Sequence, residues 1–411
     1  MKKHAFYFNI LLFIIMAAVL TTACKKDDSP AALKLSTLVA DDIDLNAATA
    51  PSNVAADPII TATFSTNVDP ASATAANITL LNYEDVSIAI DITVSGAAIT
   101  ITPTERLGDG TSHTLTFGSG LKATNGQMLS EAIVRSFSTD GLFAPGGAVA
   151  YWNFEDDALD QAGSYDASAV IDVTYTAGRK ADAGKAATFN GTTSIIEVPN
   201  GDQLMNTSDF TLSFWVKAEQ SGKGHFVMGL GAFYGFQFEI FGDFNGCKLA
   251  ARYDLGDGTS AAEDLWFPAN GDLGWQGWTF CADWTGSGGL PSRMEDKWVQ
   301  VVCMYNSTTK VGTMYINDEL AKTQDFNLWP DGDAKQGVVG LKYDGVAPEV
   351  VNELAFGFIQ SRAGTLWDAE AWGGYDFAGA NHFQGQLDDI RIYHKVLTAT
   401  EIQLMYDSGK P

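Results

Sequence analysis

An all-β chain made of two successive sandwich domains is what this sequence predicts, and three observations carry that expectation. At 411 residues the chain exceeds one small hydrophobic core, so two domains are expected. From about Lys34 to Thr139 short β-branched runs alternate with turn residues, the pattern of a sandwich of brief strands. At "DGLFAPGG" (140–147) Gly and Pro cluster and strand character stops; all ten tryptophans lie beyond this point.

The first 23 residues belong to neither domain. Lys2 and Lys3 precede an apolar run from Phe6 to Leu20, and the segment ends "LTTAC" at Cys24, as a secretory signal peptide does. Residues 24–33 read as a polar tether, beginning "CKKDDSP". Within 34–140 the clear strands are "IITATFS" (59–65), "ITLLN" (78–82), "IAIDITVS" (88–95), "AITITP" (98–103), "HTLTF" (113–117) and "AIVRSFST" (132–139). The lone His113 reads as a surface strand residue rather than a ligand. Within 147–411 the runs are "AVAYWNFEDD" (148–157), "KAATFNGTTSIIEVP" (185–199), "FTLSFWVKA" (210–218), "KWVQVVCMYN" (297–306), "GTMYINDEL" (312–320) and "NELAFGFI" (352–359). "FQGQLDDIRIY" (383–393) closes the strand set. The helix "LTATEIQLMY" (397–406) follows, with Thr398 and Glu401 spaced as a capping box and Leu397, Ile402, Met405 and Tyr406 on one side.

Three resemblances attach to these segments. The cysteine at the cut resembles the lipobox of bacterial lipoproteins, which implies lipidation of Cys24, and "CKKDDSP" is similar to the tag behind the lipid cysteine in surface-displayed lipoproteins of Bacteroidetes. That implies an outer-membrane lipoprotein exposed at the cell surface. "FSTNVDPASATAANITLLN" (64–82), "AITITPTERLGDGTSHTLTF" (98–117) and "LKATNGQMLS" (121–130) resemble bacterial Ig-like domains of the SbsA type, which usually serve as spacers or adhesion units. The runs of 147–411, ending in Gly385 to Tyr393, resemble LamG-like jelly rolls of the concanavalin A-like lectin/glucanase superfamily, with Asp318 where the family's hairpin has Gly.

Charge narrows the ligand class. The net charge is −25, and residues 1–23 hold two lysines and no acids, so the chain beyond them is more acidic still. Such a field repels nucleic acid and anionic lipid, which excludes nucleic-acid partners, and it suits neutral ligands and calcium. Cys247, Cys281 and Cys303 remain after Cys24; Cys303 reads as a core residue, and Cys247 with Cys281 is a candidate disulfide.

Two aspartates in the closing strand raise a question of chemistry. Simple alternation sets Asp388 with Ile390 and Ile392, and Asp389 with Leu387 and Arg391, on opposite faces. An ionised carboxylate among isoleucines needs hydrogen bonds, a cation or a catalytic role. Asp388, Asp389, Glu155 and Asp157 are therefore candidate calcium ligands where first and last strands adjoin, beside a purely architectural role for Asp388. Glucanases of this superfamily carry Glu-x-Asp-x-x-Glu on a strand; "EDDALD" (155–160) matches its spacing but ends in Asp160 and runs into a turn. The histidines show no paired metal spacing.

Aromatic loops give the strongest ligand signal. "DLWFPANGDLGWQGWTFCADWTG" (264–286) reads as an insertion with four tryptophans, and "TLWDAEAWGGYDF" (365–377) precedes the closing strand. Trp275, Trp278, Trp284, Trp367, Trp372 and Tyr375 are candidate sugar platforms, because aromatic rings with nearby Asp, Asn and Gln match a sugar's C–H faces and hydroxyls. The expected function is non-catalytic capture of a glycan or polysaccharide at the cell surface, alongside other surface glycan-uptake proteins. A protein-binding adhesin with inward-packed tryptophans and a glycoside hydrolase are the alternatives.

Overall fold

The computed structural model describes residues 31–411, so Cys24 and the signal segment lie outside the described residues. The described chain divides into two compact units, the first ending at Thr139 and the second running from Asp140, with Gly108–Thr111 counted in the second.

The first unit is a sandwich of a five-stranded and a four-stranded antiparallel sheet. The five-stranded sheet runs in the order Ile43–Asp44, Leu35–Ala40, Ile60–Phe64, Ala98–Pro103, Ile90–Ser95. The other runs Ser87–Ile88, Ile78–Leu81, Ser112–Phe117, Ile133–Ser138. Period-two alternation turns Leu38, Ile60, Ala62, Ile99 and Ile101 of one sheet against Ile78, Leu80, Leu115 and Phe117 of the other, all fully buried. Each of these Leu, Ile and Phe side chains contributes roughly 1.5–3 kcal/mol on leaving water. His113 departs from its sequence reading: it is 2% exposed and stacks on Phe137 with ring centroids 5.3 Å apart. In the run "SHTLTF" it shares the buried face with Leu115 and Phe117.

The second unit is a larger sandwich of nine and eight strands. In the nine-stranded sheet the closing strand, Gln384–Tyr393, lies between Lys185–Asn190 and Phe210–Ala218 and also pairs with the opening strand, Ala148–Trp152. Trp298–Asn306, Val311–Ile316, Glu319–Asp325 and Trp278–Cys281 continue the sheet to its far edge. The hairpin between Val311–Ile316 and Glu319–Asp325 turns on Asn317 and Asp318, both left-handed, so Asp318 adopts the backbone that glycine usually supplies. The eight-stranded sheet runs Ala169–Ile171, Ile195–Val198, Leu354–Phe356, His225–Gly229, Phe236–Ile240, Cys247–Asp254, Ser260–Phe267, with Gly340–Leu341 paired to Cys247–Asp254. Trp152, Phe210, Phe214, Phe236, Phe238, Leu387 and Ile390 fill the space between the sheets. The C-terminal helix, Ala399–Gly409, has the expected capping box between Thr398 and Glu401. It buries Ile402 and Met405 and stacks Tyr406 on Trp215.

Three sequence expectations change here. Asp388 and Asp389 do not point to opposite faces. Asp389 has a φ of 49°, and the pairing with Phe210–Ala218 slips between Ser213 and Trp215, which is a β-bulge. One extra residue restores Ile390 and Ile392 to the core while both carboxylates stay on the outer side. Among the described residues Cys247 and Cys281 are free buried thiols, on strands of the two facing sheets, and the Cys247 Sγ rests 3.8 Å from Met314 Sδ instead. Finally, 264–286 is not one loop, since it begins inside the strand Ser260–Phe267 and contains the edge strand Trp278–Cys281.

Candidate functional site

The outer face of the eight-stranded sheet carries the chemistry of the second unit. Inward residues there are Phe236, Phe238, Ile240, Leu249, Ala251, Leu265 and Phe267, so alternation turns their neighbours outward. Register then aligns Phe226, Glu239, Lys248 and Trp266 in one row across four strands, and Gln237, Ala250 and Asp264 in the next. Lys248 Nζ stands 3.3 Å from Glu239 Oε1 and 3.0 Å from Asp264 Oδ2, tying two carboxylates to one ammonium. Burial pushes the Glu239 carboxyl up, partly offset by Lys248, and burial's opposite pull on Lys248 is outweighed by its two acidic partners. Gln237 Nε2 donates to Glu239 Oε2 at 3.1 Å.

Above this polar floor lies the segment 360–381. Its Trp367 and Trp372 rings sit 5.0 Å apart; Trp372 meets Phe226 edge-on at 6.0 Å and Trp367 meets Phe233 at 6.3 Å. Backbone bonds hold the segment down: Asn381 N donates to Trp372 O, and Phe226 N donates to Asn381 O. Together they enclose a cavity of about 340 Å³ with aromatic walls from Phe226, Phe233, Trp367 and Trp372, over Gln237, Glu239 and Lys248. Trp372 is 40% exposed at its rim. Two buried polar atoms, Gln237 Oε1 and Trp367 Nε1, have no hydrogen-bond partner among the described residues. A buried acceptor and a buried donor without partners, on residues that line an aromatic-walled cavity, are groups that sugar hydroxyls can satisfy.

The platform expected from sequence is split by the fold. Trp367 and Trp372 share this cavity. Tyr375 lines a different one, of about 520 Å³, and donates its hydroxyl to Thr193 O. Trp284 is only 6% exposed, packed between Phe267 and the Arg293 guanidinium. Trp278 covers Lys322 and meets Trp266, whereas Trp275 packs on Trp329 at 4.5 Å. Phe226, Gln237, Glu239 and Lys248 lie between 218 and 297, where the sequence patterns above place no strand. The signal was present: "FQFEI" (236–240) and "KLAARYD" (248–254) alternate apolar and polar residues.

The calcium candidates do not converge. Arg179 donates to Asp388 through Nη1 and to Asp389 through Nη2, filling the place expected for a cation. Tyr151 Oη donates to Asp389 Oδ1 at 2.6 Å and Arg391 Nη2 to the same oxygen at 2.9 Å. Burial opposes ionisation of Asp389, but Arg391, Arg179 and the Tyr151 hydroxyl hold its carboxyl below the usual range; burial and the Asp389 charge push Asp388 up. Glu155 instead accepts from Lys185 N, and Asp157 from Leu159 N. Among the described residues no group of three or more His, Cys, Asp or Glu is placed to hold a metal. In "EDDALD" Asp160 accepts from the backbone N–H groups of Tyr151, Ala162 and Tyr165.

Fold and site together define a two-domain β-sandwich protein with an aromatic-walled cavity on one sheet. Residues 43–139 match the family described as Bacterial Ig-like domain, and residues 190–348 match the Concanavalin A-like lectin/glucanases superfamily. The chain carries a bacterial Ig-like domain followed by a concanavalin A-like domain. No curated protein matches it by sequence. Among solved structures it is similar to the binding domain of botulinum neurotoxin serotype D (16% identity, TM-score 0.40, covering 64% of this chain and 50% of that one). It is also similar to the serotype D ligand binding domain in complex with N-acetylneuraminic acid (15%, 0.40, 64% and 51%). A third is the binding domain of Paraclostridial Mosquitocidal Protein 1 (16%, 0.42, 63% and 52%). The match spans about half the length of each of those chains.

Proposed function

We propose that this protein is a cell-surface lipoprotein, anchored through Cys24, that binds a glycan without cleaving it, its Ig-like domain acting as the spacer. One observation carries the binding reading: Trp367, Trp372 and Gln237 line one cavity of about 340 Å³, and Gln237 Oε1 and Trp367 Nε1 are buried without a partner among the described residues. Aromatic faces take up the C–H side of a sugar ring, and the two open atoms fix its hydroxyls. The Glu239–Lys248–Asp264 triplet supports binding over hydrolysis, because both carboxylates are already paired with the same ammonium. A free nucleophile and a separate proton donor are what glycoside cleavage requires.

A glycan array on residues 25–411, with W367A and W372A in parallel and with EDTA added, tests this. The expected result is binding that survives EDTA and weakens about tenfold or more in either variant, about 1.4 kcal/mol. Binding unchanged in both variants, or no glycan bound at all, would sink the assignment. Release of shorter sugars from any polysaccharide would make the protein a hydrolase instead.

A further inference from the structure

The larger cavity, of about 520 Å³, shares none of its lining residues with the first, although the segment 360–381 contributes to both. Its aromatic side is Phe358, Tyr375 and Phe377, with the Phe358 and Tyr375 rings edge-on at 5.4 Å and Phe377 44% exposed at the mouth. Its polar side includes Gln360 and Arg362. Gln360 is 3% exposed and its Nε2 donates to Gly364 O at 3.2 Å, which fixes the amide and leaves Oε1 buried without a partner among the described residues. An acceptor kept dry and open costs free energy unless a ligand supplies the donor.

The charge arrangement selects the ligand. Arg362 is committed to Glu197 through Nε at 3.2 Å and Nη2 at 2.8 Å, a two-pronged pair in which Nη1 takes no part. Glu197 is 5% exposed; burial opposes its ionisation, but Arg362 outweighs that and holds the carboxyl below its usual range. The guanidinium charge is thereby neutralised, while exposed Asp368 and Asp376 also line the cavity and repel an anion. An uncharged polyol fits what is left: a hydroxyl donating to Gln360 Oε1, another accepting from Arg362 Nη1, and a ring face against Phe377.

We infer that this cavity is a second glycan site, independent of the first and selective for neutral sugar units. The inference rests on the glycan-binding reading above and adds a site and a charge preference to it. Two sites fed by one segment would let a polysaccharide engage twice, raising avidity without new contacts elsewhere.

Isothermal titration of residues 25–411 with cellohexaose, xylohexaose and mannohexaose, and with trigalacturonic acid as the acidic counterpart, tests this. Two molar equivalents of at least one neutral probe are expected, falling to one in W367A/W372A, with the remaining affinity reduced at least tenfold by F377A or Q360M. Thermal melts of each variant identify any that merely misfold, and the exposed Phe377 keeps the test open if Q360M does. One equivalent in the unaltered protein, lost entirely in W367A/W372A, would overturn the second site and leave the first. One equivalent retained in W367A/W372A and lost in F377A would support the second site and overturn the first. No heat with any neutral probe would overturn both. Preference of W367A/W372A for trigalacturonic acid would overturn the selectivity.

Discussion

Lys322 shows how much a single side chain can cost this sandwich. It pairs with Met314 and Cys281, so it turns inward with them, and it is fully buried. Its Nζ has no hydrogen-bond partner among the described residues and lies 3.2 Å from the centre of the Trp278 ring. Burial lowers the amine to about 8, with Cys281 and Asp272 opposing. A folded-state value below the unfolded one means the unfolded chain holds more protons between about pH 8 and the ordinary lysine range near 10.4. Stability therefore rises with pH across that window, and the whole cost of the buried charge is carried below it. K322M is expected to be more stable than the parent at pH 7 by about 1–3 kcal/mol, with the gain shrinking by pH 10. Urea unfolding at the two pH values checks this; equal gains at both would mean the amine bears no charge penalty.

At the scale of elements, Arg179 joins pieces that are far apart in the chain. It stands between the strands Thr174–Ala177 and Lys185–Asn190 and reaches both aspartates of the closing strand. Its Nε donates to Gly409 O at 2.8 Å, at the end of the C-terminal helix, and its guanidinium lies over Trp215. The bulge at Asp389 makes this possible, because it delivers two adjacent carboxylates to one guanidinium. R179M would leave both buried without that partner, at a cost of about 3–5 kcal/mol. The loss should be larger at neutral pH than at pH 5, and through Asp389. Arg179 helps hold that carboxyl below its usual range, so without Arg179 its protonation at pH 5 relieves part of the cost. Asp388, pushed up to about 8, holds its proton at both pH values. Chemical denaturation at both pH values measures it; a cost under about 1 kcal/mol would show that Arg391 and Tyr151 suffice.

The molecule as a whole is strongly acidic, at −25, and this bears on what it binds. A neutral sugar held by ring faces and hydroxyls owes little to long-range charge, so raising sodium chloride from roughly 50 to 500 mM should change its affinity less than about twofold. Affinity that climbs steeply with salt would indicate an anionic ligand working against the protein's field. Titration at the two salt concentrations decides the point.

Taken alone, the sequence determined what is local. Period-two runs such as "AITITP" and "FTLSFWVKA" fix strands at 98–103 and 210–218, and Thr398 with Glu401 fixes the start of the last helix. Family patterns spread along the chain likewise fixed the order of the two domains. Tertiary structure alone decided the rest. Strand pairing brought Phe226, Glu239, Lys248 and Trp266 into one row from positions spread over forty residues. One inserted residue cancelled the alternation that had separated Asp388 from Asp389. The tryptophans were sorted by packing: Trp284 went to the core, Trp278 to Lys322, and Trp367 with Trp372 to a cavity. Periodicity records which side a residue takes on its own strand. Which residues meet across strands depends on register and bulges, and those are set by contacts distant in sequence.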